Sequence, residues 1–560
     1  MRRTGAQIVI EQLCAHGVTT VFGYPGGSVL PLYDELLDNS DRITHVLTAH
    51  EQGAAHAADG YARASGKTGV VIATGGPGAT NLVTGIANAY LDSVPMVAIT
   101  GNVTIPLLGK DSFQEVDIVG ITQPIVKHSF VIHGVTKLEH VLNEAFRIAN
   151  SGRRGPVLVD IPKTVQNESC EYFGKMPERK NGNRNGSGSS LDIEQAKEAI
   201  KGCKRPYIYA GGGVLASGAE AELFALSNRL SAPVGFSMMG LTALPSSYAL
   251  NLGMCGMHGK YAASMAQAEC DLMIALGVRF SDRATGDVDA FRQGRTIIHI
   301  DIDPAEIEKN VPSHINIRGD IRSVLTALLR EIPTACNGEW LSRIDELIYA
   351  DKEEQNSDFS PKNIIETVGR SHDDGAIVAT DVGQHQMWTM QHYPFGKPRT
   401  LLTSGGLGAM GYGLGAAIGG CIANNRQRTI LITSDGSFGM NLVELSTAVT
   451  QDLPLTIVIL NNGALGMARQ WQSMFYKQRY SQTTLCRKTD FVALAKAFGA
   501  AGYLAESLPQ LERILDDLPG RKPTVIDCRI DMNQKVLPMI PPGGTVKDII
   551  RGDQNGEIRN

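Results

Sequence analysis

Short apolar runs recur along this chain, and most neighbouring runs are separated by enough sequence for a helix of ten or more residues. ITHVLTA (43–49), TGVVIAT (68–74), PMVAITG (95–101) and GPVLVDIP (155–162) form a first group. YIYAGG (207–212), DLMIALG (271–277) and TIIHIDID (296–303) form a second. AIVATD (376–381), TILITSD (429–435), LTIVILNN (455–462) and TVIDCRI (524–530) form a third. Strands alternating with helices imply βαβ units and parallel sheets. The expected fold class is therefore α/β, with three doubly wound parallel-sheet domains.

Composition shifts suggest the boundaries. ERKNGNRNGSGSSL (178–191) is polar and aperiodic, as a linker would be, and a weaker break lies near 332–360, around Pro333, Gly338 and Asn356. The domains expected are 1–170, 190–335 and 355–535. A Pro- and Gly-rich tail, 536–560, reads as an unpacked segment.

Several function classes are excluded early. Fifty-two Lys and Arg against 57 Asp and Glu leave a net charge of -5, which fits neither a nucleic-acid binder nor a protein docked on an anionic membrane. No apolar run reaches the ~18 residues of a membrane span. Nine cysteines without CxxC or metal-ligand spacing read as reduced thiols. Neither end carries a targeting pattern, so a cytoplasmic location is expected. The 61 glycines cluster in GYPGG (23–27), GGPG (75–78), AGGGV (210–214) and SGGLGAMGYGLG (404–415), where backbone must turn tightly or approach a ligand.

The strongest local signal is SDGSFGMN (434–441), followed by paired asparagines at 461–462. Asp435 ends one apolar run and Asn462 ends the next, with a helix expected between them through about Val449. In a parallel sheet both side chains then stand at the carboxyl edge, where open α/β sheets bind ligands. Mg2+ takes oxygen ligands in an octahedral shell that phosphate and water usually complete. The Asp435 carboxylate, the Asn462 amide oxygen and one loop carbonyl suit a metal-bound diphosphate. Backbone N–H groups after Gly436 and Ser437 point at the same anion. An ordinary βαβ unit with an Asp cap explains the motif equally well when it is taken alone.

The spacing resembles the thiamine-diphosphate motif, with Ser434 in place of its first glycine. Thiamine catalysis needs a carboxylate beside the aminopyrimidine ring, and Glu51 in AHEQGAAHAADGYARASG is the candidate. A lone Glu at a helix start is otherwise explained by the helix dipole. Read end to end, about residues 4–545 resemble the catalytic subunits of the acetohydroxyacid synthase (acetolactate synthase) family. YPGGSVLPLYD, HEQGAAH, GPGATN, FQEVD and VKHSF carry the likeness in the first domain. LGMCGMHG, GVRFSDRATG and IHIDIDPAEI carry it in the second, and GQHQMW, TSGGLGAMGYGL, DGSF, LNNGALGMARQWQ and PMIPPG in the third.

That resemblance implies thiamine diphosphate, Mg2+ and FAD as cofactors, and names the domains pyrimidine-binding, central FAD-binding-like and diphosphate-binding. It implies decarboxylation of pyruvate and condensation of the two-carbon unit with a second 2-oxoacid, pyruvate or 2-oxobutyrate. Glu51 would activate the cofactor, and Asp435, Asn462 and the Ala464 carbonyl would hold the metal. Gln384, His385, Gly408, Gly436, Ser437 and Met467 would line the cofactor, with Met410 beneath it. Gly26, Gly27, Phe113, Gln114 and Lys127 would face the substrate from a neighbouring subunit, so at least a homodimer is implied. A small regulatory subunit is left open.

Arg153, Gly211, Gly212, Gly213, His258, Gly277, Arg279, Asp301 and Asp320 would serve FAD, although AGGGVLA alone is equally a tight glycine turn. Arg283 would meet the carboxylate of the incoming 2-oxoacid, and Trp471 in ARQWQ would favour 2-oxobutyrate. Ser281 and Gly439 depart from the family pattern, where Asp and often Gln stand. Another thiamine-dependent 2-oxoacid decarboxylase or carboligase, or a catabolic acetolactate synthase, is the alternative.

Overall fold

The computed structural model describes residues 1–174, 186, 188–335, 337–351 and 358–551. Three six-stranded sheets organise them, and each is parallel throughout its ladders. Parallel strands covered on both faces by helices read as continuous apolar runs, and those runs form the strand centres here. Examples are Met96–Asn102, Leu272–Leu276 and Leu455–Asn461, which are buried almost throughout.

The strand orders separate the sheets into two kinds. Numbered along the chain within each sheet, the first and third both run 2-1-3-4-6-5, whereas the middle one runs 3-2-1-4-5-6. The latter is the order of dinucleotide-binding sheets, which take their ligand where the order reverses. A two-stranded antiparallel ribbon, Arg2–Thr4 with Ser169–Glu171, ties the start of the chain to the end of the first sheet region.

The first and third sheets share one hydrophobic core. Its centre is the contact of helix Glu51–Ser65 with helix Tyr412–Ala423, where small residues let the backbones touch. A Cβ on Gly419 would stand 1.8 Å from the Ala57 carbonyl oxygen, and one on Gly60 2.3 Å from that of Ala416. A second core joins the middle and third regions.

Three expectations change. The helix expected from Asp435 to about Val449 is broken: Asp435–Asn441 and Leu445–Thr450 are α-helical, and a 3-10 turn at Leu442–Glu444 joins them. The tail is packed where it begins. Val536 and Met539 are fully buried, the Val536 amide pairs with Gln470 in both directions, and Trp388 donates to the Lys535 carbonyl at 3.3 Å. Its prolines withhold N–H donors, but the backbone there is held both by these side chains and by backbone pairs, Met539 with Ile550 and Ile540 with Met257. The break near 332–360 holds a helix, Gly338–Ala350, anchored by buried Trp340. The linker read at 178–191 lies largely outside the described residues. Among the described residues no helix is long and apolar enough to cross a membrane, and the cysteines are free thiols.

Candidate active site

At the carboxyl edge of the third sheet, Ser434 pairs with Leu460 in parallel register, so Asp435 and Asn462 leave adjacent strands close together. Ser434 has an extended backbone (φ -124°), which any side chain tolerates, and its hydroxyl accepts the Ser437 N–H at 3.4 Å as a helix cap. The serine therefore replaces a glycine without strain. Asp435 is nearly buried and its Oδ1 has no hydrogen-bond partner. Burial pushes its carboxyl up to about 6. A buried acceptor left unpaired is costly, and a cation would satisfy it. Asn462 Oδ1 accepts the Ala464 N–H at 3.1 Å, and its amide nitrogen donates to Gln384 at 3.2 Å. Among the described residues no group of three or more His, Cys, Asp or Glu could hold a metal, so a cation here needs amide, carbonyl and ligand oxygens.

Above this edge opens a cavity of about 1570 Å³. Gln384, His385, Gly408, Met410, Asn462, Ala464, Met467 and Ser434 line it from the third region. Burial holds the His385 imidazole neutral, its pKa pushed down to about 3, and its Nε2 is buried without a partner. The middle region supplies the opposite wall with His258, Arg279 and Arg283. Arg283 and Trp471, distant in sequence, meet in this cavity with the guanidinium 5.8 Å from the indole centroid, within cation–π range. Ser437 is fully buried and its hydroxyl is bound to the Val382 carbonyl at 3.0 Å. Gly439 has Arg487 beside it, where a Cβ would come within 2.9 Å of the guanidinium.

A second cavity, about 1130 Å³, runs along the carboxyl edge of the middle sheet. Arg153, Gly212, Gly213, Gly277, Arg279, Asp301 and Asp320 line it. Gly211 and Gly277 follow the two strands between which the order reverses. A Cβ on Gly211 would lie 2.2 Å from the Gly277 carbonyl oxygen, and Gly277 has φ +57°, a conformation that favours glycine. Asp301 accepts the Asp303 N–H at 2.8 Å, and burial raises its carboxyl to about 6. Asp320 caps the following helix through Ser323, and Arg153 pairs with Glu306 at 2.6 Å. The two cavities share Tyr209, Ser237, Met238, Arg279, Ser281, Glu306 and Gly405, so they adjoin along these residues.

The first-sheet candidates lie apart from both cavities. Glu51 accepts from Asn81 at 2.9 Å, and its Oε1 would lie 3.2 Å from a Cβ on Gly78. Gln114, at φ +59°, packs its backbone on Gly76 of the same turn, and Gly26 packs on Thr74. Gly27 has open space beside it, and Phe113 is 87% exposed. Glu51, Gly26 and Gln114 are thus gathered around residues 74–78. Lys127 is not among them: its ammonium donates to the Ile148 and Ser151 carbonyls at 2.5 and 2.6 Å, and burial lowers it to about 8.

Sequence reasoning passed over three buried carboxylates. Asp381 Oδ1 accepts from Gly411 and Gly413 at 2.7 and 3.2 Å, and its Oδ2 from the Thr433 hydroxyl at 3.0 Å. Glu444 takes the Ala49 and His50 N–H groups, directly before Glu51, at 3.1 and 2.9 Å. Asp92 grips Gly405 and Gly406. Asp381 ends an apolar strand just as Asp435 does, and that signal was available. Asp92 and Glu444 carry no comparable local mark.

A thiamine pyrophosphate enzyme N-terminal TPP binding domain model matches residues 3–121, the central domain model 193–328, and the C-terminal TPP binding domain model 381–528. Fold and site together define a three-domain thiamine-diphosphate enzyme. The chain is 43% identical to the acetolactate synthase isozyme 2 large subunit of Escherichia coli K12, over 98% of this chain and 99% of that protein. It is 44% identical to a probable acetolactate synthase large subunit of Methanocaldococcus jannaschii, over 98% and 95%, and 44% to an acetolactate synthase of Arthrospira platensis, over 98% of each. The chain belongs to the acetolactate synthase large-subunit family.

Proposed function

We propose that this enzyme decarboxylates pyruvate and joins the remaining two carbons to a second 2-oxoacid, giving 2-acetolactate from pyruvate or 2-aceto-2-hydroxybutyrate from 2-oxobutyrate. The observation that carries this reading is the meeting of Arg283 and Trp471 in the cavity that opens over Asn462. A guanidinium is shaped to take a 2-oxoacid carboxylate, and the indole beside it sets the room left for the acceptor's alkyl group. Thiamine diphosphate, when bound, supplies the electron sink for decarboxylation.

Unpartnered Asp435 Oδ1, with the Asn462 and Ala464 oxygens, would hold Mg2+, and His385 and Gln384 would orient the diphosphate. Met410 would support the cofactor from below. Glu51 would exchange a proton with the aminopyrimidine ring. It lies outside the chain's own cavity, which supports an active site completed by the first region of a second subunit, where Gly26, Gly27, Phe113 and Gln114 would face the substrate. Lys127, tied to a helix end, would join them only by leaving those carbonyls. The middle sheet's strand order and its glycine-lined crevice support FAD, with Arg153, Arg279, Asp301 and Asp320 around it and His258 toward the shared cavity. The large-subunit names of the relatives support a small regulatory subunit as partner.

The test is acetolactate formation from pyruvate by the purified chain with thiamine diphosphate and Mg2+, with and without FAD. FAD-dependent acetolactate formation is expected. Free acetaldehyde as the sole product would replace the carboligase reading with a decarboxylase. Full activity without FAD would favour a catabolic synthase.

A further inference from the structure

The loop Ser404–Gly411 stands where the two cavities meet. Ser404, Gly405, Gly406, Gly408 and Met410 line the first, and Gly405 also lines the second, beside Arg63 and Asp92. The loop belongs to the third region, yet its backbone is gripped by the first. Asp92 caps the C-terminal end of helix Val83–Leu91 and its side chain is fully buried. Its Oδ1 accepts the Gly406 N–H at 2.7 Å, while Oδ2 accepts the Gly405 N–H at 3.0 Å and the Arg63 guanidinium at 2.8 Å. Arg63 also pairs with Asp59 at 2.5 Å, and Asp59 accepts the Tyr412 hydroxyl at 2.6 Å. Asn88 donates to Asp59 at 3.2 Å and accepts from the Ser404 hydroxyl at 2.5 Å, and that hydroxyl accepts the Ala409 N–H at 2.9 Å.

One cation between two carboxylates, all buried and hydrogen-bonded, is costly to break at any member. Nothing in the proposed chemistry uses these groups. Arg63 holds Asp92, and Asp92 holds the Gly405 and Gly406 amides on the approach to Met410. The fit is also tight on the nucleotide side: a Cβ on Gly406 would meet Asp92 Oδ1 at 2.8 Å and the Arg279 guanidinium at 3.0 Å. The Arg279 guanidinium thus lies beside the same backbone that Asp92 holds.

We infer that Arg63 and Asp92 are positioning residues for Met410, and that the Ser404–Gly411 loop they hold couples occupancy of the dinucleotide cleft to cofactor binding in the diphosphate cavity. The coupling rests on the reading of the second cavity as an FAD site. Binding free energies are reciprocal, so each ligand then tightens the other by one common factor.

The experiment measures FAD affinity of the full chain by flavin fluorescence, with and without saturating thiamine diphosphate and Mg2+. In the wild type the two dissociation constants are expected to differ by about fivefold or more. In Asp92→Asn an amide nitrogen faces a donor, and the factor should fall below about twofold while thermal unfolding still shows a folded chain. Ser404→Ala, a milder change that frees the Ala409 N–H, should at least halve it. Full coupling retained in Ser404→Ala and in any folded Asp92→Asn overturns the inference, as does a wild type that binds FAD without coupling. A wild type that binds no FAD overturns the FAD reading itself, and the coupling with it.

Discussion

The first and third sheets share one strand order and differ in what they place at the same edge. In the third, the turns after the first and third strands of that order carry Asp381, Gln384, His385 and Asp435, beneath a cavity walled by the middle region. In the first, the equivalent turns carry Gly26, Gly27 and residues 74–78, with Glu51 beside them and 87% exposed Phe113 nearby. One edge carries buried Asp435 and His385, each with an unpartnered polar atom, and is roofed within the chain. The other offers small residues and one carboxylate, and stays open. Under the proposed roles, two sheets of one strand order would divide a reaction, one holding the cofactor's charged end and the other moving the proton.

The sharpest break of this comparison is a pair of variants. Glu51→Gln should cut acetolactate turnover by about a thousandfold, within the range for lost general acid–base catalysis, and leave cofactor binding intact. Asp435→Asn should instead lose Mg2+-dependent cofactor binding, followed by isothermal calorimetry. Identical behaviour of the two would erase the division of labour. At the seam, Gly419→Ala forces a methyl into the Ala57 carbonyl, and a loss of about 3 kcal/mol or more is expected in denaturant unfolding. A stability unchanged from wild type would mean that the two sheets are not locked together there.

In the cavity itself, Trp471→Leu should reduce the preference for 2-oxobutyrate over pyruvate by about tenfold in competition, the scale of one badly filled apolar pocket. A constant product ratio would remove Trp471 from acceptor choice. The smallest effect concerns Asp381. Burial raises its carboxyl to about 6, above its unfolded value, so the folded chain favours the protonated form. Its contribution to stability is greatest below pH 4 and falls away between about pH 4 and 6. An Asn in its place keeps Oδ1 as acceptor for Gly411 and Gly413 and offers its nitrogen to Thr433. Asp381→Asn should therefore gain about 1 kcal/mol at pH 7.5 relative to about pH 5.3, read from paired thermal melts. An equal difference from wild type at both pH values would contradict a buried carboxylate in this place.

Much of this was legible from local pattern. Runs such as TGVVIAT and LTIVILNN became Gly69–Ala73 and Leu455–Asn461, because a strand covered on both faces has to be apolar at consecutive positions. Strands without such a run were passed over: Asn251–Met254 alternates in burial, and Leu401–Leu402 has two residues. Asp435 and Asn462 could be found because each ends its own strand. Asp92 and Glu444 could not, since what defines them is a pair of amides more than 300 residues away. The tail misled because proline and glycine advertise turns, while its burial depends on Gln470 and Trp388.

The contact of helix Glu51–Ser65 with helix Tyr412–Ala423 also sets a schedule for biogenesis. The first helix leaves the ribosome with its Gly- and Ala-lined face complete, but its partner is still unmade. At ~5–20 residues per second, the wait is roughly 20–70 s, and the whole middle sheet is synthesised meanwhile. The nascent first sheet carries an unmatched surface through that interval. That surface is covered only once Tyr412–Ala423 and the third-sheet strands around it have followed, since both belong to the shared core.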